Sequence, residues 1–436
     1  MIRRIACLLL GLLSVVCLTV RPSSARAEDV DPTANLEVPN CIVVDQNDPT
    51  VVFYEKNADV QSVPGSTMKI MTCILSIELC QDLEQTVEVT GQAASLKETN
   101  SRMGIIRGEK LTVRELLYGL MLESGNDAAL LLANTFGGSV EGFVELMNAK
   151  AAELGMVNTH FLNASGAYKS GQYSTARDLA ILTCYAMKNE LFRTIVSTVT
   201  YTIEPNDVRT REMEMTNSNK LISDPADSDL FYENATGVKT GSTGVGGKCL
   251  VGSATLDGAS VVAVMLGVTD GGSKIARMSQ VYRDTKSIMD LTLTTRYVTV
   301  TSEDLGITAE FSADVEGGEQ SSVAATAVFT PETVRLPDIV VEKIKADPSL
   351  LTTETNVSEL TAPVSEGDSC GTATYSYNGT VLFTAELKAG GAVQSPTAAP
   401  ITTAVPTPTA EPAAVPSAGI FANIPVWEWA MRGGVL

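Results

Sequence analysis

Histidine is almost missing from this chain: among 436 residues there is one, His160. A Ser-His-Asp hydrolase would have to use it as its base, and no G-x-S-x-G elbow accompanies it. Its setting reads as a strand or turn, so His160 is assigned a structural role. No C-x-x-C pair occurs, so the usual zinc constellations are missing as well. Basic residues are scarce, 31 against 51 acidic, for a net charge of −20. Such a surface repels phosphates and argues against nucleic-acid binding. What remains is 44% hydrophobic and 19% charged, enough to build a large core, and the length suggests two or three domains. Any catalysis here must run without histidine, and no metal or organic cofactor is expected.

Residues 1–27 have the three parts of a secretory signal. Arg3 and Arg4 precede an apolar run from Ile5 to Val20, and Ala25-Arg26-Ala27 supplies a small-x-small cleavage site. The run is short for a membrane-spanning helix. The expectation is export, with cleavage after Ala27. Cleavage leaves 27 basic and 51 acidic residues, a net charge of −24. Six cysteines remain, namely Cys41, Cys73, Cys80, Cys184, Cys249 and Cys370. An exported protein permits disulfides, but their irregular spacing favours mostly free, buried thiols.

Two strand-like runs lie within Leu36–Tyr54 around Asn47-Asp48-Pro49. Helical periodicity starts after Pro64-Gly65 and continues through Lys69–Ile77. A second helix fits Thr112–Leu122, with Thr112 and Glu115 as a capping box. Asp127–Phe136, Val140–Leu154 and Ala176–Met187 read as further helices. Strand patterns return at Val238–Thr240, Cys249–Thr255 and Ser260–Val268. Strands, then many helices, then strands predict an α+β domain of helices packed on an antiparallel sheet, over residues 28–295. Residues 296–390 are rich in Thr, Val, Ser and Gly and read as a small all-β domain, with a hairpin turn at Asn378-Gly379. Residues 391–418 carry six of the eighteen prolines and form a Pro/Thr/Ala-rich linker. A tail, 419–436, ends the chain. Its Trp427 and Trp429 suit a bilayer interface, a possible weak membrane anchor.

Without histidine, a serine can be activated by a lysine held neutral beside it. The spacing S-x-x-K sets both on one helix face, and it occurs here as Ser66-Thr67-Met68-Lys69. Ser66 opens a helix, where backbone N–H groups favour developing negative charge. The alternative is a capping serine followed by a surface lysine. Ser124-Gly125-Asn126 sits between two helices and offers a hydroxyl for proton relay and an amide to orient the site. It also reads as a plain polar turn. Lys239-Thr240-Gly241 follows on a strand run, where Lys239 and Thr240 suit a carboxylate and Gly241 permits close backbone approach. Gly244–Lys248 suggests a phosphate loop only superficially, since Cys249 follows the lysine.

The three motifs in this order resemble the serine penicillin-interacting enzymes. Pro64–Thr72, Leu116–Met121 leading into Ser124–Ala129, Ser174–Ala180, Gly237–Gly241 and Cys249–Ala254 narrow the likeness to the D-alanyl-D-alanine carboxypeptidases, the low-molecular-mass penicillin-binding proteins. The resemblance covers about residues 36–290. Residues 296–390 are similar, more faintly, to the small β domain that follows in that family. It implies a β-lactamase/transpeptidase-like fold and a penicillin-sensitive serine D-Ala-D-Ala carboxypeptidase acting on peptidoglycan stem peptides. By the same resemblance Ser66 is the acyl-ester nucleophile, Lys69 the general base, Ser124 the proton relay and Asn126 the orienting amide. Lys239, Thr240 and Gly241 would bind substrate, and the backbone N–H groups of Ser66 and Ser242 would form the oxyanion hole. β-Lactams would act as covalent inhibitors.

This chain also departs from the family pattern. Ser242 stands where relatives often carry His or Tyr, the N-P-x-G segment reads Asn163-Ala164-Ser165-Gly166, and Gln172 replaces a common histidine. A class A-like β-lactamase is the enzymatic alternative, but it needs E-x-x-L-N, which is missing between the second and third motifs. A non-catalytic wall-binding protein on a penicillin-binding fold is the other alternative. The complete set of reactive side chains argues against it.

Overall fold

The computed structural model describes residues 32–96, 101–223, 225–226, 229–269, 274–307 and 310–397. The signal-like segment 1–27, most of the linker and the tail with Trp427 and Trp429 lie outside the described residues. A five-stranded antiparallel sheet organises the region from residue 40 to residue 268. Its strands are β1 (Asn40–Asp45), β2 (Val52–Lys56), β3 (Ala235–Thr243), β4 (Gly247–Leu256) and β5 (Ala259–Val268), in the order β2-β1-β5-β4-β3. The strands are apolar on both faces because both are covered. Ile42 and Val44 point into a helical cluster, while Cys41 and Val43 point to the opposite side.

The helical cluster is centred on α1 (Lys69–Leu79), whose residues Lys69–Ser76 are all buried. A helix that is buried on every side must be surrounded. Here α2 (Val113–Met121), α3 (Asn126–Gly137), α4 (Val140–Glu153) and α5 (Ala176–Ala186) all pack against it. The expected capping box on α2 is present: Glu115 N–H donates to Thr112 Oγ1, and Thr112 N–H donates to Glu115 Oε2. Each of Ile70, Met71 and Ile74 removes a large apolar side chain from water, worth about 1.5–3 kcal/mol apiece.

The opposite face of the sheet is covered by a 22-residue helix, α6 (Lys274–Thr295). The periodicity reading did not find it. Its inward stripe is interrupted by Thr285 and Thr292, both fully buried, whose hydroxyls donate to Val281 O and Ile288 O one turn back. The helix satisfies its own buried hydroxyls, so a polar residue type occupies a core position.

The C-terminal segment is sheet-rich. Six strands pair in the order Leu351–Val357, Ser369–Tyr377, Thr380–Ala389, Ser322–Thr330, Glu310–Glu316, Leu360–Thr361. Asn378 and Gly379 take positive φ at the predicted hairpin turn. Contrary to an all-β reading, the segment also carries a nine-residue helix, α7 (Asp338–Ala346), with Val340, Val341 and Ile344 buried. Val393 is buried and pairs with Val364, so ordered packing extends past residue 390. This segment is fastened to the sheet and to α6 by polar contacts. The Tyr297 hydroxyl lies 2.6 Å from Asp45 Oδ2 and 2.8 Å from Ser260 O, and Arg335 donates to Leu256 O and Leu293 O.

Cys73, Cys80, Cys184, Cys249 and Cys370 carry free thiols, all buried except Cys80. Burial raises the thiol pKa of Cys73, Cys184 and Cys249, the last to about 11. Thiolate chemistry is therefore suppressed at these three positions.

Candidate active site

Ser66 lies in a 3-10 turn, Gly65–Met68, that runs directly into α1. In such a turn residues three apart eclipse one another, which brings Lys69 Nζ to 3.1 Å from Ser66 Oγ. Lys69 is fully buried and also donates to Asn126 Oδ1 at 2.7 Å and to Ser165 O at 2.6 Å. Burial, and then the charge of Lys239, hold the Lys69 amine well below the ordinary lysine range, with Asp127 opposing them. A neutral amine has two N–H bonds and one lone pair. With the amine neutral, Asn126 and Ser165 would take its two N–H bonds and its lone pair would face the Ser66 hydroxyl.

Ser124 precedes α3 with φ of 56°, a left-handed conformation. Its Oγ is buried without a hydrogen-bond partner among the described residues, and a buried hydroxyl left unpaired is costly unless it has a task. Asp127, one residue past Asn126, is buried and accepts the backbone N–H groups of Met103, Gly104 and Ile105. Asn126 N–H in turn donates to Ser101 O. The second motif therefore anchors the 101–105 loop as well as supplying Ser124 and Asn126.

Lys239, Thr240, Gly241 and Ser242 lie within β3 rather than at its end, since the strand continues to Thr243. Gly241 is required by contact: a Cβ there would come 2.5 Å from Pro64 O. The turn carrying Ser66 thus sits directly against β3, and a Cβ on Gly65 would lie 3.1 Å from Ser242 N. Lys239 is buried beneath the strand, its Nζ 3.3 Å from Thr240 O. Desolvation lowers its pKa to about 7, with Glu123 opposing the shift.

Ser66, Ser124, Thr240, Gly241 and Ser242 line one cleft of about 250 Å³. Lys69 reaches Ser66 from behind, joined to Asn126. A larger hollow of about 500 Å³, beside Phe231 and Arg283, contains no residue of the three motifs. His160 is exposed, pairs through its backbone with Tyr173 and does not line the cleft. Further cleft residues came from places the motifs do not reach. Ser218 pairs with Thr240 through their hydroxyls, Tyr282 donates to Ser218 O, and Lys248 donates to Ser242 Oγ. The Ser165 carbonyl was also missed, although its segment stood out as a departure from the family pattern.

The sequence profile of the D-alanyl-D-alanine carboxypeptidases matches residues 26–270. The chain belongs to that family. The D-alanyl-D-alanine carboxypeptidase DacF of Bacillus subtilis is 33% identical over 276 residues, covering 62% of this chain and 68% of that protein. DacA of Escherichia coli, another D-alanyl-D-alanine carboxypeptidase, is 28% identical over 86% of this chain and 89% of its own. The crystal structure of the Streptomyces K15 DD-transpeptidase aligns with a TM-score of 0.52 at 34% identity, over 57% of this chain and 96% of that one. DacD of Francisella tularensis shares the fold across 83% of this chain and 94% of its own, with a TM-score of 0.53 at 23% identity. Members of the D-alanyl-D-alanine carboxypeptidase family are serine peptidases, and this chain is a hydrolase of that type.

Proposed function

We propose that the chain removes the terminal D-alanine from peptidoglycan stem peptides, with Ser66 as nucleophile. Lys69 takes the Ser66 proton as Oγ attacks the carbonyl between the two D-alanines. The backbone N–H groups of Ser66 and Ser242 receive the developing oxyanion. The C–N bond then breaks, and Ser124 passes a proton to the departing D-alanine amine. Asn126 keeps Lys69 oriented, while Lys239 and Thr240 hold the terminal carboxylate. Water hydrolyses the resulting ester and restores the Ser66 hydroxyl. β-Lactams acylate the same oxygen.

The observation that carries this reading is the fully buried Lys69, 3.1 Å from Ser66 Oγ with its two other neighbours both acceptors. A surface lysine beside a capping serine would have neither feature. The unpartnered Ser124 hydroxyl in the same cleft supports the relay role. Among the described residues, the lining of that cleft contains one carboxylate, Glu123, whose Oε1 accepts from Thr216 N–H. The 1–27 segment supports export to the cell envelope, with the tail around Trp427 and Trp429 as a candidate peripheral membrane contact.

Ser66→Ala tests the assignment. D-Alanine release from a pentapeptide ending in D-Ala-D-Ala should vanish while circular dichroism stays unchanged. Release at the original rate in the folded variant would refute it.

A further inference from the structure

The Ser165 carbonyl is held against Lys69 by a latch that lies outside the three motifs. Gln172 is buried, and its amide makes three hydrogen bonds: Oε1 accepts from Leu162 N–H at 3.0 Å and Asn163 N–H at 3.2 Å, while Nε2 donates to Ala167 O at 3.0 Å. It therefore ties both ends of the 162–167 loop to one point. Inside the loop, Asn163 Oδ1 accepts from Ser165 N–H at 3.1 Å and Gly166 N–H at 2.8 Å, and Asn163 Nδ2 donates to Ala167 O. From below, Thr72 on α1, one turn after Lys69, donates to Ala164 O at 2.6 Å. Gly166, with φ of 76°, rests so near the Ser66 turn that a Cβ would stand 2.0 Å from Gly65 O.

Packing does not hold this loop on every side. Ala164, Ser165 and Ala167 face a cavity of about 160 Å³ whose far wall includes Leu96, Leu130 and Val140. Where packing is incomplete, hydrogen bonds must fix the position of the carbonyl. Moving that carbonyl by about 1 Å would free one Lys69 N–H and let the amine turn away from Ser66 Oγ, and displacements of that size cost about a hundredfold in rate.

We propose that Gln172, acting through the 162–167 loop and the Ser165 carbonyl, is a positioning residue that sets the orientation of Lys69 toward Ser66. This inference rests on the reading of Lys69 as the base. It concerns the rate of acylation and not the recognition of substrate, because the latch touches none of Lys239, Thr240 or Ser242.

The test separates binding from acylation by following benzylpenicillin in stopped flow, giving a dissociation constant K and a rate constant k2. Gln172→Leu should lower k2 by about tenfold to a hundredfold and leave K within about twofold. Gln172→His, which keeps one donor and one acceptor, should recover most of k2. Thr72→Val removes a single hydrogen bond from the same loop without changing volume and should lower k2 by a smaller factor. It serves as the deciding variant if Gln172→Leu does not fold. Combined with Gln172→Leu, its effect should be less than multiplicative, as expected for residues acting through one carbonyl. Unchanged k2 in folded Gln172→Leu or in Thr72→Val would overturn the inference, as would K and k2 changing together. Absence of acylation in the unaltered protein would instead overturn the underlying reading of Ser66 and Lys69, and this inference with it.

Discussion

Lys69 and Lys239 are both fully buried, and the charge of Lys239 adds to desolvation in lowering the proton affinity of Lys69. Two lysines from different motifs are thus electrostatically coupled across one site. A carboxylate bound at Lys239 would cancel part of that field and raise the Lys69 pKa. The acidic limb of kcat should therefore lie at higher pH than the acidic limb of kcat/KM. In Lys239→Met the acidic limb of benzylpenicillin acylation should likewise move to higher pH. Coincident limbs, or a shift to lower pH, would contradict the coupling. Rates across pH 4–10 check it.

Lys239 itself titrates near pH 7 when the cleft is empty. Carboxylate binding requires its charged form, so KM for a peptide with a free C-terminus should rise above about pH 7, up to tenfold per pH unit. The same peptide with an amidated C-terminus should show no such limb. Equal pH dependence for the two peptides would remove Lys239 from the carboxylate role.

The same residue is expected to cost stability. Its folded pKa of about 7 lies below the unfolded value near 10.4. The unfolded chain therefore binds more protons between those two values, and stability rises with pH across that window. Lys239→Met removes the penalty, whose ceiling at pH 7 is on the order of 4 kcal/mol. Its Tm at pH 7 should exceed that of the unaltered protein by about 3 °C or more, and the difference should shrink toward pH 10. A lower Tm would mean the ammonium finds compensation in the fold.

Ser124 gives a second separation of stability from function. Its buried Oγ has no partner among the described residues, so Ser124→Ala should leave Tm unchanged or slightly raised. D-Alanine release should fall by about a hundredfold or more, in line with the loss of a positioned proton-transfer group. A variant that is destabilised yet fully active would reverse the assignment.

Asp127 behaves oppositely. Its carboxylate accepts three consecutive backbone N–H groups from the 103–105 segment, and it is almost wholly buried. Asp127→Ala orphans those donors, each at about 1–3 kcal/mol. Tm should drop by several degrees, with a lower denaturant midpoint, whereas unchanged stability would show that the loop finds other partners.

Local rules made much of this legible in the sequence. The capping box at Thr112, the turn at Asn378-Gly379 and the eclipsed spacing of Ser66 and Lys69 each depend on residues within four positions. α6 was hidden because buried threonines can satisfy their hydroxyls on their own helix, so Thr285 and Thr292 broke an apolar stripe that the fold treats as continuous. α7 was hidden by its Thr- and Val-rich surroundings. Ser165, Ser218 and Tyr282 reach the site only through chain topology. Ser165 O lies 96 residues from Lys69 in sequence, and a backbone carbonyl leaves no signal in residue type. The motifs supplied Ser66, Lys69, Ser124 and Asn126, while Ser165 O, Ser218 and Tyr282 came from tertiary structure.

Ser66 is proposed here as an acylating serine activated without histidine. Intact-protein mass after brief exposure to benzylpenicillin tests it most directly. A persistent penicilloyl adduct, one per chain, is expected on the peptide containing Ser66 and absent in Ser66→Ala. An unmodified mass with the penicillin left intact, or an adduct on any other residue, would contradict it.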